Sequence, residues 1–340
     1  MLKTQFLRPY LSARTYINYN KLPRSVFHSY KVINLTQKLL WYPYWRFWTN
    51  IDESKDPSYG IFEELKEEEN SKDANIKNLS LKLINTQSAQ QVLVGIFEND
   101  YLRGEKEVIY GEELALILHF AVKHLTNVVD EQRIATLLDM LYNRLEELEF
   151  DFVLTTIWSL GILISLHNAE IDLESKTKVI RQLLNCTIPK ESLSNLPSLI
   201  FSISCMISPE EATEDIYEVI RHISGHLIEE GLDLLEPLQA STILMGWSRL
   251  QYHNEDYLYR ITNQMRRDDF FYDISDNDLC NIISSLSDLH YKDDKLYDIL
   301  HEHVKIAADD IKPYGLFMII QSYARVIPHK RDYYFDLYEP

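Results

Sequence analysis

An apolar pair, a small residue, an apolar residue and a second small residue return at nearly constant spacing through the C-terminal two thirds of this chain. The clearest copies are Ile243-Leu244-Met245-Gly246-Trp247-Ser248-Arg249-Leu250-Gln251-Tyr252, Ile282-Ile283-Ser284-Ser285-Leu286-Ser287-Asp288-Leu289-His290-Tyr291 and Ile319-Ile320-Gln321-Ser322-Tyr323-Ala324-Arg325-Val326. Aligned on the large apolar residue before the second small one, the copies fall at Leu160, Ile203, Trp247, Leu286 and Tyr323, with a weaker one at Phe120. The steps are 40, 43, 44, 39 and 37 residues. Each step holds two helices of roughly three turns and two short connections. The unit is therefore a helical hairpin, and a fixed period of this size predicts hairpins stacked side by side.

The residues flanking each anchor are small: Ser159 and Gly161, Ser202 and Ser204, Gly246 and Ser248, Ser285 and Ser287, Ser322 and Ala324. They predict sites where a neighbouring helix comes close, within the roughly 8 to 10 Å of helix packing. A second helix repeats in phase with them. Asn254-Glu255-Asp256-Tyr257-Leu258-Tyr259 returns as Lys292-Asp293-Asp294-Lys295-Leu296-Tyr297 and again as His329-Lys330-Arg331-Asp332-Tyr333-Tyr334. Each copy has a polar or acidic start before an apolar stripe, as favoured at a helix N-terminus.

Upstream, Leu79, Leu81, Leu83, Ile84, Val92, Leu93 and Ile96 form helical stripes that predict a degenerate first hairpin. A helix from Glu112 to Leu125 and a partner from Glu131 to Leu148 follow. The expected fold class is all-α, a right-handed α-solenoid of about six helical hairpins over residues 76–340. It would stop inside a second helix, with no further domain after it. The 46% hydrophobic content supplies a large core, and only nine glycines argue against a turn-rich β architecture.

Charge divides the chain sharply. Residues 1–51 carry eight cations (Lys3, Arg8, Arg14, Lys21, Arg24, Lys31, Lys38 and Arg46) and no carboxylate. The remainder then holds 26 of the 34 basic residues against all 52 acidic ones, a formal charge of −26. An acid-free segment with Arg, Ser and interspersed Leu, Phe and Tyr has the composition of a mitochondrial transit peptide. Residues 1–35 are accordingly assigned to a non-globular basic targeting leader, cleaved between Arg14 and Arg24, and the protein to the mitochondrial matrix or the matrix face of the inner membrane. The competing reading is a basic arm retained on the mature protein.

Residues 36–75 form a Trp-rich segment and an acidic linker. Leu39 to Trp48 holds three of the five tryptophans, and such amphipathic rings suit boundaries between apolar and wet surroundings. Trp41, Tyr44, Trp45 and Trp48 are candidate partner anchors; the same segment would also serve as a cap on the first hairpin, or as an interfacial membrane contact. From Asp52 to Asp73 charge dominates, as in a solvated linker.

No run reaches the ~18 to 20 apolar residues of a membrane span. The longest uncharged stretch, Phe152 to Asn168, reads as a buried helix and contains Thr155, Thr156, Ser159 and Ser165. Cys186, Cys205 and Cys280 lie far apart with no CxxC spacing, which suits buried thiols in a reducing compartment. Nucleotide-binding, nucleophile-elbow and zinc-protease motifs do not occur in the sequence. His222 with His226, and His301-Glu302-His303, are too few ligands for a metal site. The pairs Glu210-Glu211, Asp293-Asp294 and Asp309-Asp310 read as helix-terminal charges. No catalytic, cofactor-binding or metal-binding residue is assigned, and the chain is expected not to be an enzyme.

The copies around Thr155-Thr156-Ile157-Trp158-Ser159-Leu160-Gly161, Trp247-Ser248-Arg249-Leu250 and Leu296-Tyr297 resemble the helical-hairpin repeats of heptatricopeptide and octotricopeptide proteins and of FAST-kinase-like mitochondrial proteins. The resemblance covers residues 150–340 and implies a role in organelle RNA processing, stability or translation. Two features depart from those families: no RAP domain follows the last hairpin, and the body is strongly acidic. No RNA-contacting residue is carried over from them.

The leading expectation is a non-enzymatic adaptor or subunit of the organelle gene-expression machinery, at the mitoribosome or in RNA metabolism. It would bind basic mitochondrial proteins within a large complex, because complementary potentials steer such encounters. A second reading is direct RNA binding through Arg249, Arg260, Arg266, Arg267, Arg325 and Arg331, with nearby tyrosines as stacking platforms; a body of this charge opposes it. A third is a structural accessory subunit of a respiratory or other inner-membrane complex, anchored through the Trp-rich segment.

Overall fold

A computed structural model describes residues 71–104, 109–125, 131–267, 269–272 and 274–337, and every regular element among them is a helix. The leader and the Trp-rich segment, with Trp41, Tyr44, Trp45 and Trp48, lie outside the described residues. The described residues open with α1 (Ser71–Ile84) and a π-helix (Gln91–Leu102). Next come α2 (Gly111–Lys123), α3 (Glu131–Tyr142), α4 (Phe150–His167), α5 (Leu173–Gln182), α6 (Leu196–Met206) and α7 (Glu214–Glu230). Then follow α8 (Pro237–Leu250), α9 (Glu255–Met265), α10 (Asp276–Asp288), α11 (Asp294–Ala307), α12 (Pro313–Val326) and α13 (Asp332–Asp336).

The anchors of the sequence repeat, Phe120, Leu160, Ile203, Trp247, Leu286 and Tyr323, fall one each on α2, α4, α6, α8, α10 and α12, and all are buried. These even-numbered helices pack in chain order, α2 on α4, α4 on α6, α6 on α8, α8 on α10 and α10 on α12. They form the most extensive contacts in the fold. The odd-numbered helices lie against their hairpin partners and touch one another less, as α5 does α7 and α7 does α9.

The small residues explain the even row. A Cβ on Gly161 of α4 would stand 3.3 Å from the Ser202 carbonyl oxygen of α6. One on Gly246 of α8 would meet Ile200 Cγ2 at 2.8 Å and the α6 backbone at 3.2 Å, and one on Gly315 of α12 would meet Cys280 Sγ of α10 at 2.8 Å. Serine and threonine fit the same dry seam because their hydroxyls bond back into their own helix. Thr156 donates to the Phe152 carbonyl at 2.8 Å, Ser159 to Thr155 at 2.7 Å, Ser202 to Ser198 at 2.7 Å and Ser322 to Met318 at 2.8 Å.

The end of the motif, Leu-Gln-Tyr or Leu-His-Tyr, is a helix stop. Gln251 and His290 take left-handed φ angles of 53° and 55°, and Asn168 does the same after α4 at 53°. The turn lets Tyr252 N–H reach the Trp247 carbonyl at 2.8 Å and Tyr291 N–H reach Leu286 at 2.9 Å, so the anchor residue also receives the capping bond. The second helices start as their acidic copies predict. Asp172, Asn254 and Asp293 side chains accept from the N–H of Ser175, Tyr257 and Leu296 at 2.8, 3.1 and 3.1 Å.

The described part of α1 runs from Ser71. The partner of α1 is a π-helix, with Arg103 N–H bonded to Glu98 five residues back at 2.9 Å. Val92, Leu93, Ile96, Phe97 and Tyr101 are buried along it. At 18 residues α4 is long and apolar enough to cross a membrane by length and composition, yet 72% of it is buried inside the fold.

Gly246→Ala is expected to lower stability by about 1 to 2 kcal/mol, because overpacking outweighs the helix-propensity gain. Gly95→Ala, whose Cβ would meet nothing within 4 Å, is expected to be neutral or to gain up to ~1 kcal/mol. Urea unfolding of the two variants beside wild type checks both signs.

Candidate functional site

The surface chemistry of the repeat body is set by what its cations do. Lys176 on α5, buried along its stem, holds Glu211 at 2.6 Å, and Arg181 holds Asp215 at 3.1 Å. Farther along, Arg325 pairs with Asp288, His329 meets Asp294 at 3.0 Å and Lys330 meets Asp298 at 2.6 Å. Near the other end Arg133 on α3 pairs with Glu98 of the π-helix. In these pairs the partners stand 32 to 37 residues apart in the sequence, one repeat away. Neutral contacts follow the same rule: Tyr217 Oη donates to the Leu250 carbonyl at 3.0 Å, and Thr262 meets Tyr291 across a hydroxyl pair at 2.9 Å.

The six arginines singled out from the sequence divide between the two helix rows, and the contacts of five of them point inward or to neighbouring acids. Arg249 Nε donates to the Ser204 carbonyl of α6 at 3.3 Å, joining two even helices. Arg260 pairs with Asp256 one turn back at 3.3 Å, and Arg267 with Asp269 at 3.1 Å. Arg266 pairs with the largely buried Asp293 at the start of α11, and Arg325 with Asp288. Arg331 is exposed just before α13. Of the tyrosines read as stacking platforms, Tyr252 and Tyr297 are buried while Tyr259 and Tyr272 are exposed.

Carboxylates therefore remain in excess along the starts of the odd helices, and their titration follows their partners. Burial pulls the Glu211 carboxyl upward, but the bonds from Lys176 and the Ser208 N–H and the Lys176 charge outweigh it and hold it below its ordinary range. Asp298 behaves alike: burial raises it, and bonds from Lys330 and Tyr333 with the charges of Lys330 and His301 bring it below. Asp151 on α4 goes the other way, raised by burial despite its bond from Ser192.

The histidine pairs find other uses than a metal centre. His222 and His226 lie edge to face, ring centroids 4.8 Å apart, with His226 Nδ1 3.6 Å from Glu230. His301 stacks on Tyr333 with centroids 3.8 Å apart and bonds Asp336 at 3.1 Å, while His303 lies against Phe271. Among the described residues no three His, Cys, Asp or Glu side chains come together as metal ligands. Burial, with Asp276 beside it, pushes the Cys280 thiol up to about 12, and burial takes Cys205 to about 11, so both stay protonated and unreactive near neutral pH. An open groove of about 590 Å³ beside α1 and the π-helix is lined by Leu81, Ile96 and Gly95, with one ion pair, Lys82 to Asp100 at 3.1 Å, across it. That pair satisfies itself, and the groove offers a ligand mainly an apolar wall.

No protein-family model matches the sequence, and no curated protein matches it significantly.

The sequence singled out arginines by type; it could not show that Arg325 and other cations of the body find acids one repeat away. That signal was nevertheless present, because Lys176 and Glu211, Arg181 and Asp215, and His329 and Asp294 are opposite charges at nearly the repeat period. Arg266→Ala is expected to destabilise the fold by about 1 to 3 kcal/mol by leaving Asp293 poorly solvated and unpaired. Arg267→Ala and Arg331→Ala are expected to change stability by no more than ~0.5 kcal/mol; thermal unfolding of the three variants checks the order.

The lowered carboxyls also fix the sign of the pH response. Their stabilisation is complete above the ordinary carboxylate range and is lost as the pH falls through the depressed folded values. Thermal midpoints of the wild type should therefore fall steeply on the acid side of the ordinary carboxylate range, and Asp298→Asn should flatten that fall.

Proposed function

We propose that this chain is a non-enzymatic helical-repeat interaction protein, a right-handed α-solenoid of about six hairpins, acting as an adaptor or subunit of the mitochondrial gene-expression machinery. It binds basic proteins, not RNA, through the acidic edge formed by the starts of its second helices. The observation that carries this reading is the cross-repeat use of cations: the body's basic groups are drawn into pairs with neighbouring acids, while 26 basic residues face 52 acidic ones after residue 51. A polyanion would have to break those pairs and approach a surface of its own sign. A basic partner gains from the same field, mainly in encounter rate and specificity. Support for the architecture comes from the even helices packing in chain order, since near-neighbour contact alone is the mark of a repeat array. The acid-free leader of the sequence supports the mitochondrial assignment.

Crosslinking of the tagged protein in intact mitochondria, with protein and RNA crosslinks read from one purification, tests the reading. The expected result is crosslinks from the odd-helix starts, around Glu214, Glu255 and Asp294, to lysine-rich peptides of a ribosomal or RNA-processing complex, lost on raising the salt. RNA crosslinks to peptides spanning Arg249 to Arg267 would overturn it in favour of direct RNA binding. Salt-resistant crosslinks to an inner-membrane complex would overturn it in favour of an accessory subunit.

A further inference from the structure

In α4, α6 and α10, contacts to the next even helix fall at positions six residues before the anchor, three before it and one after it. Gly161 faces Ser202, Ile200 faces Gly246, the Ser204 carbonyl accepts from Arg249, Cys280 faces Gly315 and Ser287 donates to the Ser322 carbonyl at 3.4 Å. In α4 these positions are Leu154, Ile157 and Gly161, and in α10 they are Cys280, Ile283 and Ser287; all are buried. In α12 they are Phe317, Ile320 and Ala324, and the pattern reverses. Phe317 is 61% exposed where Leu154 is 2% and Cys280 6%, Ile320 is half-buried, and Ala324 is exposed. With 3.6 residues per turn these three join Pro313 and Leu316 in one apolar stripe, on the side of α12 away from Gly315 and Ser322, which face α10.

We propose that this stripe is a self-association surface, on which two copies of the chain pair α12 with α12, antiparallel, about a two-fold axis at Ile320 and Gln321. Such an axis sets position 317 opposite 324, so the large Phe317 of each copy lies over the small Ala324 of the other. The same large-over-small fit holds the even row together, where Ile200 lies over Gly246. Charge favours the same choice of occupant. A body of −26 repels its own copy over most of its surface, whereas α12 contains no Asp or Glu and its single charged residue, Arg325, is engaged with Asp288. A helix of 14 residues is about 21 Å long, so the contact belongs at the low end of interface sizes and the dimer dissociates at concentrations on the order of micromolar. An isologous pair closes, whereas stacking a different helix on the stripe would leave an open end and grow chains of copies.

Sedimentation equilibrium of the full chain over a concentration series tests this, with circular dichroism melts confirming that each variant folds. Wild type is expected to pass from monomer to dimer and no further. Phe317→Lys and Ala324→Glu, both at exposed positions, should each weaken the dimer at least ~10-fold, and the double variant should recover it, because each lysine then faces a glutamate of the second copy. Ile320→Cys, in a background with the half-buried Cys186 replaced by Ser, should form a disulfide-linked dimer under mild oxidation, against a Cys186→Ser control whose Cys205 and Cys280 are buried. A wild type that stays monomeric throughout the series would sink the proposal. So would oligomers larger than two, no recovery in the double variant, or no disulfide-linked dimer from Ile320→Cys.

Discussion

The distance between neighbouring even helices decides the rest of this structure. At Gly246 a side-chain carbon would press on the α6 backbone, and at Gly161 and Gly315 one would crowd Ser202 of α6 and Cys280 of α10. The helices come into close contact there, and Ser159, Ser202 and Ser322 stay dry because their hydroxyls are bonded to their own helices. Large anchors then fill the other side of the seam, toward the odd row. Trp247 is the clearest case: it is buried, its indole N–H finds the Ser224 hydroxyl on α7 of the preceding hairpin at 3.2 Å, and its ring stacks near Tyr257 of its own partner α9. Small residues on one flank and a large one at the centre thus set both the spacing of the row and the depth of each hairpin.

With the even row drawn close, each odd helix buries one apolar face, such as Ile216, Val219, Ile220, Ile223 and Leu227 of α7, and turns a polar face outward. Hairpins repeated in the same sense bring the N-termini of α5, α7, α9 and α11 along one edge, each with the partial positive charge of a helix start. Asp172, Glu214, Asp215, Glu255, Asp256, Asp293 and Asp294 offset that charge. Lys176, Arg181, Arg266 and His329 reach from adjacent hairpins to the same edge. Exposed pairs of this kind contribute little each, but they consume most of the nearby cations. An acidic edge follows from the way the hairpins are joined.

The repeat was readable because its constraint is local. Anchors at Leu160, Ile203, Trp247, Leu286 and Tyr323, their small neighbours, and the polar starts at Asn254 and Asp293 all stand where the sequence placed them, since each obeys a helix-packing or capping rule that acts within a few residues. The left-handed stops at Gln251 and His290 were present in the motif but carried no glycine to announce them. The stripe of Val92, Leu93 and Ile96 announced the helix at Gln91–Leu102 but not its π register. Pairing was the least readable level: whether Arg266 points to solvent or to Asp293 depends on the turn between two hairpins, which no local pattern states.

The same logic separates surface that is merely exposed from surface that is built to be covered. Tyr272 and Ile306 are more exposed than Phe317. Phe317, Ile320 and Ala324 stand at positions whose equivalents Cys280, Ile200 and Gly161 lie against the next even helix. An apolar side chain held at an interface register costs solvation when left in water. A near-neighbour array therefore marks its own docking face through the positions that its interior helices keep buried.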